Sequence, residues 1–238
     1  MTTKPRLSVI IPVLNEAAIA REYLRQFPYG EGMEVLIVDG GSRDQTLEIC
    51  RDFPVQVLSS PIAGRAQQMN FGATIAQGKI LLFLHLDSRL PPDFLDQIQQ
   101  ILKSPDVIAG AFQLAIDLPG WQYRCLEKAI LWRSQFWQLP YGDQGIFLTA
   151  KQFHHLGGFA DLPLMEDYDL VQRLQTLGTV AIAPAKIVTS GRRWQKLGLL
   201  KTTLINQAIV LGYHLGIAPQ TLARWYYQQP PTSLDSLD

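Results

Sequence analysis

Lys79-Ile80-Leu81-Leu82-Phe83-Leu84-His85-Leu86-Asp87-Ser88-Arg89 is the stretch on which the fold turns. Ile80 to Leu84 form a continuous apolar run, the pattern of a strand covered on both faces inside a parallel sheet. The run then meets His85, Asp87, Ser88 and Arg89, and Pro91-Pro92 ends it. In an open α/β sheet ligands bind outside the carboxyl ends of the strands. A carboxylate there, just past a histidine-leucine pair, can hold a hard divalent cation beside substrate phosphates. The bland alternative for Asp87 is an acid capping the next turn.

Working outward, Leu7–Val13 reads as a buried strand that ends in Leu14-Asn15-Glu16, with Asn15 as N-cap of a helix to about Gln26. Glu34–Val38 is a second strand landing on Asp39-Gly40-Gly41-Ser42, where Ser42 and Gln45 form a capping box for a helix to about Phe53. Val55–Leu58 is a short strand, and Arg65–Gln77 is a helix stopped by Gly78. This βαβαβαβ order predicts a parallel, right-handed sheet. Downstream come a helix over Phe94–Leu102 and an antiparallel or edge strand over Ala109–Ile116. A helical pattern over Trp121–Trp137 follows, its aromatic surface expected in the core. Tyr141-Gly142-Asp143-Gln144-Gly145 is a polar loop leading into Ile146–Leu148. Leu164-Met165-Glu166-Asp167 opens a helix to about Leu177, and Val180–Ala183 and Lys186–Thr189 read as two short strands.

Composition narrows the function classes. With 238 residues, 47% of them apolar, the chain can fill a sizeable core, which excludes disorder. A formal net charge of zero argues against a nucleic-acid binder driven by phosphate neutralisation, although Arg192, Arg193, Lys196 and Lys201 gather locally. Cys50 and Cys125 have no metal or CxxC spacing and read as buried small hydrophobes. The opening residues hold no signal-peptide apolar region, so the cytoplasm is the default location, with membrane association open. From Leu197 to Tyr227, Leu197, Leu200, Leu204, Ala208, Leu211 and Leu215 share one helical stripe. Lys201, Asn206, Gln207 and His214 make it too polar to span a bilayer. It reads first as a packing surface, for a homodimer among other partners, and second as a peripheral membrane patch.

Four strand-end clusters need one explanation: Asn15-Glu16, Asp39-Gly40-Gly41-Ser42, His85-Leu86-Asp87 and Glu166-Asp167. Each alone could be a cap, a turn or a first-turn acid. Together they set acidic and amide groups at one sheet edge, which favours a nucleotide and metal site. A dinucleotide fold would place G-x-G-x-x-G after the first strand, where the chain has Pro12-Val13-Leu14-Asn15-Glu16-Ala17. No Walker lysine motif and no G-x-S-x-G occur.

These clusters, with Ser8–Glu16, Val38–Ser42, His85–Asp87 and Glu166-Asp167 in that order, resemble glycosyltransferase family 2. Within it the chain is similar to small stand-alone bacterial members with L-H-x-D-S/T, G-D-Q and M-E-D motifs. The resemblance implies a GT-A fold: an α/β architecture with a mostly parallel central sheet flanked by helices, Rossmann-like in its N-terminal half, and a helical C-terminal extension. Residues 1–195 are then expected as the transferase domain, 196–227 as the extension packing on it or on a partner, and 228–238 as a flexible tail.

The resemblance also implies an inverting, metal-dependent transfer from a nucleotide-sugar donor, usually UDP-linked, to a hydroxyl or carboxylate acceptor of lipidic or carotenoid type. By it, Pro12, Asn15, Glu16, Asp39 and Gly41 hold base and ribose, with Asp39 accepting from the uracil N–H. His85-Leu86-Asp87 takes the place of the D-x-D motif, so Asp87, with His85 in place of the first aspartate, is the Mn²⁺ or Mg²⁺ site. Arg65 and Asn70 reach the donor, and Arg192 or Arg193 adds charge at the departing diphosphate. Asp167 is the base, with Glu166 beside it. Asp143, Gln144 and Trp194 are placed at the acceptor. Two other readings stay open, a nucleotidyltransferase on a similar sheet and a non-catalytic sugar-nucleotide binding module. Nucleotide and metal binding measured beside turnover separates the three.

Overall fold

Every position of β1 (Leu7–Val13) is buried except Pro12, as expected of a strand flanked on both edges and covered on both faces. The computed structural model describes residues 5–227, so the tail read as flexible lies outside the described residues. β1 leads through α1 (Ala17–Gln26), β2 (Met33–Asp39), α2 (Thr46–Arg51), β3 (Gln56–Ser59) and α3 (Arg65–Ile75) to β4 (Ile80–Phe83). β1 pairs in parallel with β2 and with β4, and β2 with β3. Pro12, which has no N–H to donate, falls where β1 outruns β4.

The remaining elements are β5 (Ser88–Arg89), α4 (Phe94–Ile101), β6 (Val107–Ile116), α5 (Trp121–Phe136), β7 (Ile146–Thr149), α6 (Ala150–His155), α7 (Glu166–Gln175), β8 (Thr179–Thr189), α8 (Arg192–Leu197), α9 (Leu199–His214) and α10 (Pro219–Tyr227). One eight-stranded sheet results, in the order β3-β2-β1-β4-β7-β6-β8-β5. β7 runs antiparallel to both β4 and β6, while β6 and β8 are parallel. The sheet is therefore mixed, with its parallel half where the sequence pattern placed it.

Strand alternation sorts the core into two layers. Val9, Ile11, Ile37 and Leu82 pack with α1, α4 and the Leu126–Ile130 side of α5. Ile10, Leu36, Val38 and Leu81 pack with α3, α6 and α7. A third cluster joins Leu164, Met165 and Tyr168 to Ile209, Leu222 and Ala223 of α9 and α10.

Several local expectations are corrected. Asn15 is not the N-cap of α1: it sits at φ 54, Glu16 holds the cap position, and the Asn15 Oδ1 accepts from Arg43 N. Ser42 does not cap α2, because its Oγ accepts from Asn15 N; the two residues instead tie the loop after β1 to the loop after β2. β6 is antiparallel to β7, as one arm of its expectation had it, but it is an interior strand and not an edge. The two short strands expected after Gly178 are one, β8, with an irregularity opposite Phe112 and Gln113 that takes up Pro184 and Ala185. Cys125 is exposed. The aromatic surface of α5 is not core: Trp121, Trp132, Phe136 and Trp137 are exposed.

Candidate active site

Antiparallel pairing of β7 with β4 sets Ile146 beside Phe83. The loop that opens β7 therefore stands next to the residues that close β4. Into the same edge comes the N-terminus of α7, where Asp167 Oδ2 accepts from Gly142 N at 2.6 Å. The result is a cleft of about 290 Å³ lined by Arg65, His85, Asp87, Asp143, Asp167, Arg193 and Trp194.

The Asp167 carboxylate is fixed by two backbone donors, since its Oδ1 also accepts from Tyr168 N at 2.8 Å. Just before it, Met165 holds φ 71, a left-handed conformation that a side-chain-bearing residue keeps only where its surroundings enforce it. Glu166, next in sequence, is almost wholly buried behind the cleft. Its Oε1 accepts from Arg65 Nε, and its Oε2 has no partner among the described residues. Burial raises its pKa against the opposing pull of Arg65. The two adjacent carboxylates are thus separated by environment, Asp167 facing the cleft and Glu166 anchoring the Arg65 guanidinium.

His85 is pushed down to about 4 by burial and then by Arg65, so its imidazole is neutral at physiological pH and offers a lone pair. Asp87 is half-buried and pairs with Arg192 at 3.5 Å. Asp143 is pushed up to about 6, by burial first, with Arg133 opposing and the carboxylates of Asp167 and Asp87 adding to it. Glu16 stands on the same side as Asp87 and Arg192: burial raises its pKa, Arg192 lowers it and Asp87 raises it.

Among the described residues no group of three or more His, Cys, Asp or Glu could by itself hold a metal ion. A neutral imidazole and one carboxylate are a sparse donor set. Those two side chains would suit a divalent cation that draws its other ligands from outside the protein.

Other candidates do not line this cleft. Leu86 is buried in the core. Asn70 makes paired bonds to Phe159, donating to its carbonyl and accepting from its N–H at 2.9 Å each, and so holds the turn after α6. Gln144 is fully buried: its Oε1 accepts from Arg133, Ser134 and Tyr141, and its Nε2 donates to Phe112 O. It therefore braces the loop that presents Asp143. Asp39 is buried too, its carboxylate accepting from Gly41 N and Ser42 N, while Gly41 at φ 101 makes that turn possible. Gln68, unremarked in the sequence, donates to both Val13 O and Val38 O and ties the ends of β1 and β2 together.

The cleft has further walls that periodicity gave no reason to choose: Tyr141, Tyr168, Asn206 and Tyr226. Arg133 stacks over Tyr141 at 3.5 Å, Tyr168 Oη bonds His214 Nε2 at 2.6 Å, and Arg193 lies over Tyr226 at 3.8 Å. Asn206 Oδ1 is buried without a partner among the described residues. Only the adjacency of Tyr141 to Gly142-Asp143-Gln144 could have flagged any of these.

Residues 8–161 match the family model for glycosyl transferase family 2. An uncharacterized glycosyltransferase of Haemophilus influenzae is 26% identical over 197 residues, 76% of this chain and 65% of that protein. A PGL/p-HBAD biosynthesis glycosyltransferase of Mycobacterium bovis is 37% identical over 100 residues, 36% of this chain and 37% of its own. Among solved structures, a mannosyltransferase from Pyrobaculum calidifontis, in complex with GDP-Man and Mn²⁺, superposes with a TM-score of 0.62 at 23% identity, covering 79% of this chain and 57% of that one. S. aureus TarS 1–349 in complex with UDP-GlcNAc gives 0.60 at 16%, covering 78% and 58%. The chain spans less than two thirds of each of these proteins.

Proposed function

The chain belongs to glycosyl transferase family 2, and from that premise we propose that it moves a sugar, with inversion, from a nucleoside-diphosphate donor, UDP-linked, to a hydroxyl or carboxylate acceptor of lipidic type. One observation carries the reading: the His85–Asp87 pair, Asp143 and Asp167, from three separate stretches of the chain, line a single cleft at the carboxyl end of the central strand.

Asp87 and the neutral imidazole of His85 would hold Mn²⁺ or Mg²⁺. When bound, such a cation offsets the charge that develops on the departing diphosphate. Arg192, already 3.5 Å from Asp87, and Arg193 supply cationic donors to the same phosphates. On the acceptor side, Asp167 is oriented by its two backbone donors and takes the proton of an attacking hydroxyl. A single displacement with one base inverts the anomeric carbon. Glu166 acts indirectly by fixing Arg65. Asp143, Trp194 and the unpartnered Asn206 Oδ1 form the acceptor's polar contacts, while Pro12, Glu16 and Gly41 border the nucleoside.

The test is calorimetric titration of UDP with and without Mn²⁺, followed by UDP release from a panel of UDP-sugars. Asp87→Ala is expected to remove the metal-dependent part of binding, and Asp167→Asn to keep binding while losing turnover by at least a hundredfold, the usual worth of a general base. Equal affinity and activity in both variants and the parent would refute these roles. Binding without turnover on any acceptor would favour a binding module, and metal-dependent binding of nucleoside triphosphates in place of UDP a nucleotidyltransferase.

A further inference from the structure

α9 is apolar around most of its circumference but covered on one side only. Ile209 and Gly212 are buried, and Asn206 and Val210 wall the cleft. Leu200, Leu204, Leu211 and Leu215, by contrast, are 60–75% exposed. Their spacing of four, seven and four residues puts them on one stripe. α5 stands beside α9, since Leu126 and Ile130 share a small cavity with Thr203 and Asn206. It exposes Trp132 and Phe136 as well. An apolar stripe of this kind on a soluble surface marks a contact.

Charge identifies the contact. Residues 192–227 hold no Asp or Glu, and of their five cations Arg192 pairs with Asp87 and Arg193 lies over Tyr226, which leaves Lys196, Lys201 and Arg224 for an outside partner, in a chain whose net charge is zero. Lys196, Lys201 and Arg224 are exposed. We propose that α9 seats its outer face in the headgroup layer of an anionic lipid bilayer, the leucines entering the interface and the flanking cations meeting lipid anions. A second copy of the chain is the poorer occupant, because a two-fold contact through α9 would set this acid-free cationic segment against itself. No helix among the described residues is long and apolar enough to cross a membrane, so the contact is peripheral. The inner face of the same helix walls the cleft, which docking would hold at the lipid surface.

Flotation of the full chain with vesicles tests this independently of any transferase activity. The protein is expected to float with phosphatidylcholine vesicles containing about one third phosphatidylglycerol, and to stay behind with phosphatidylcholine alone. High salt should release it, since the attraction is screened. Lys201→Gln should weaken partitioning about fivefold, and Leu204→Asp with Leu211→Asp more than tenfold, with an unchanged far-ultraviolet circular dichroism spectrum. Should the double variant fail to fold, the lysine variant and the salt series still decide. No flotation, or equal flotation with both vesicle types, overturns the proposal. So does a dimer in light scattering that the leucine variants disperse.

Discussion

Asp143 is a cleft carboxylate whose environment opposes its charge: it is pushed up to about 6 by burial, with Asp167 and Asp87 adding to the effect. The sign of the consequence is fixed by linkage. Between the ordinary aspartate range and about pH 6 the folded chain binds this proton more tightly than the unfolded chain. Stability therefore falls as pH rises through that window, and the loss persists above it. Asp143→Asn should then be more stable than the parent at pH 7.5 by about 1–2 kcal/mol, a figure kept below the full roughly 1.4 kcal/mol per unit because the group is partly exposed. The gain should vanish toward pH 4, and urea unfolding at the two pH values measures it. An equal change at both would mean that the substitution acts through packing instead. A site residue that costs stability is an ordinary trade against function.

At the scale of elements, the turn before β7 is set against α7 with little slack. A Cβ on Gly142 would lie 2.9 Å from Asp167 Oδ2, closer than real Cβ contacts come. Gly142→Ala must therefore displace the Asp167 carboxylate by a few tenths of an ångström. On the proposed mechanism the turnover number should drop about tenfold while UDP affinity stays put, because small misplacements of a reacting group cost rate before they cost binding. Unchanged turnover would remove Asp167 from the reaction. Gly72 is a structural contrast: a Cβ there would meet Ile10 Cγ2 at 2.7 Å and Val38 Cγ2 at 2.9 Å. Gly72→Ala should cost about 1–3 kcal/mol of overpacking, read as a lower urea midpoint.

These elements also show what could be read in advance. The run Ile80–Leu84 declared a doubly covered strand, and the βαβ order around it gave the parallel half of the sheet. The place of β7 between β4 and β6 was not legible, because a strand's own pattern does not name its neighbours. The short patterns at Asn15 and Ser42 misled for a related reason: both residues have cap chemistry but spend it on each other across two loops. Glu166 and Asp167 are alike on paper. Only the fold decides that one is buried against Arg65 and the other faces the cleft.

For the whole molecule, the question is how firmly α9 and α10 are held over the cleft. Their packing is a cluster separate from the two layers that cover the sheet, built by Ile209, Leu222 and Ala223 on Leu164, Met165 and Tyr168. Small, separate clusters of this kind are the natural boundaries of local unfolding. Leu222 is fully buried and sits against Gly212, so Leu222→Ala should cost about 2–4 kcal/mol at that cluster. If the cluster opens as its own unit, backbone amides of α9 and α10 will exchange faster in the variant while those of β1 keep their protection. Exchange that rises equally in β1 would instead make the C-terminal helices part of one cooperative core. Because Asn206, Ile209, Val210 and Tyr226 belong to these helices and wall the cleft, the first outcome carries a second consequence. A ligand that touches this wall binds only the closed form, so it should slow exchange in α9 and α10 in proportion to its occupancy. UDP with Mn²⁺, whose phosphates on the proposed reading meet Arg193 where it lies over Tyr226 of α10, should then return part of the lost protection in the Leu222→Ala variant.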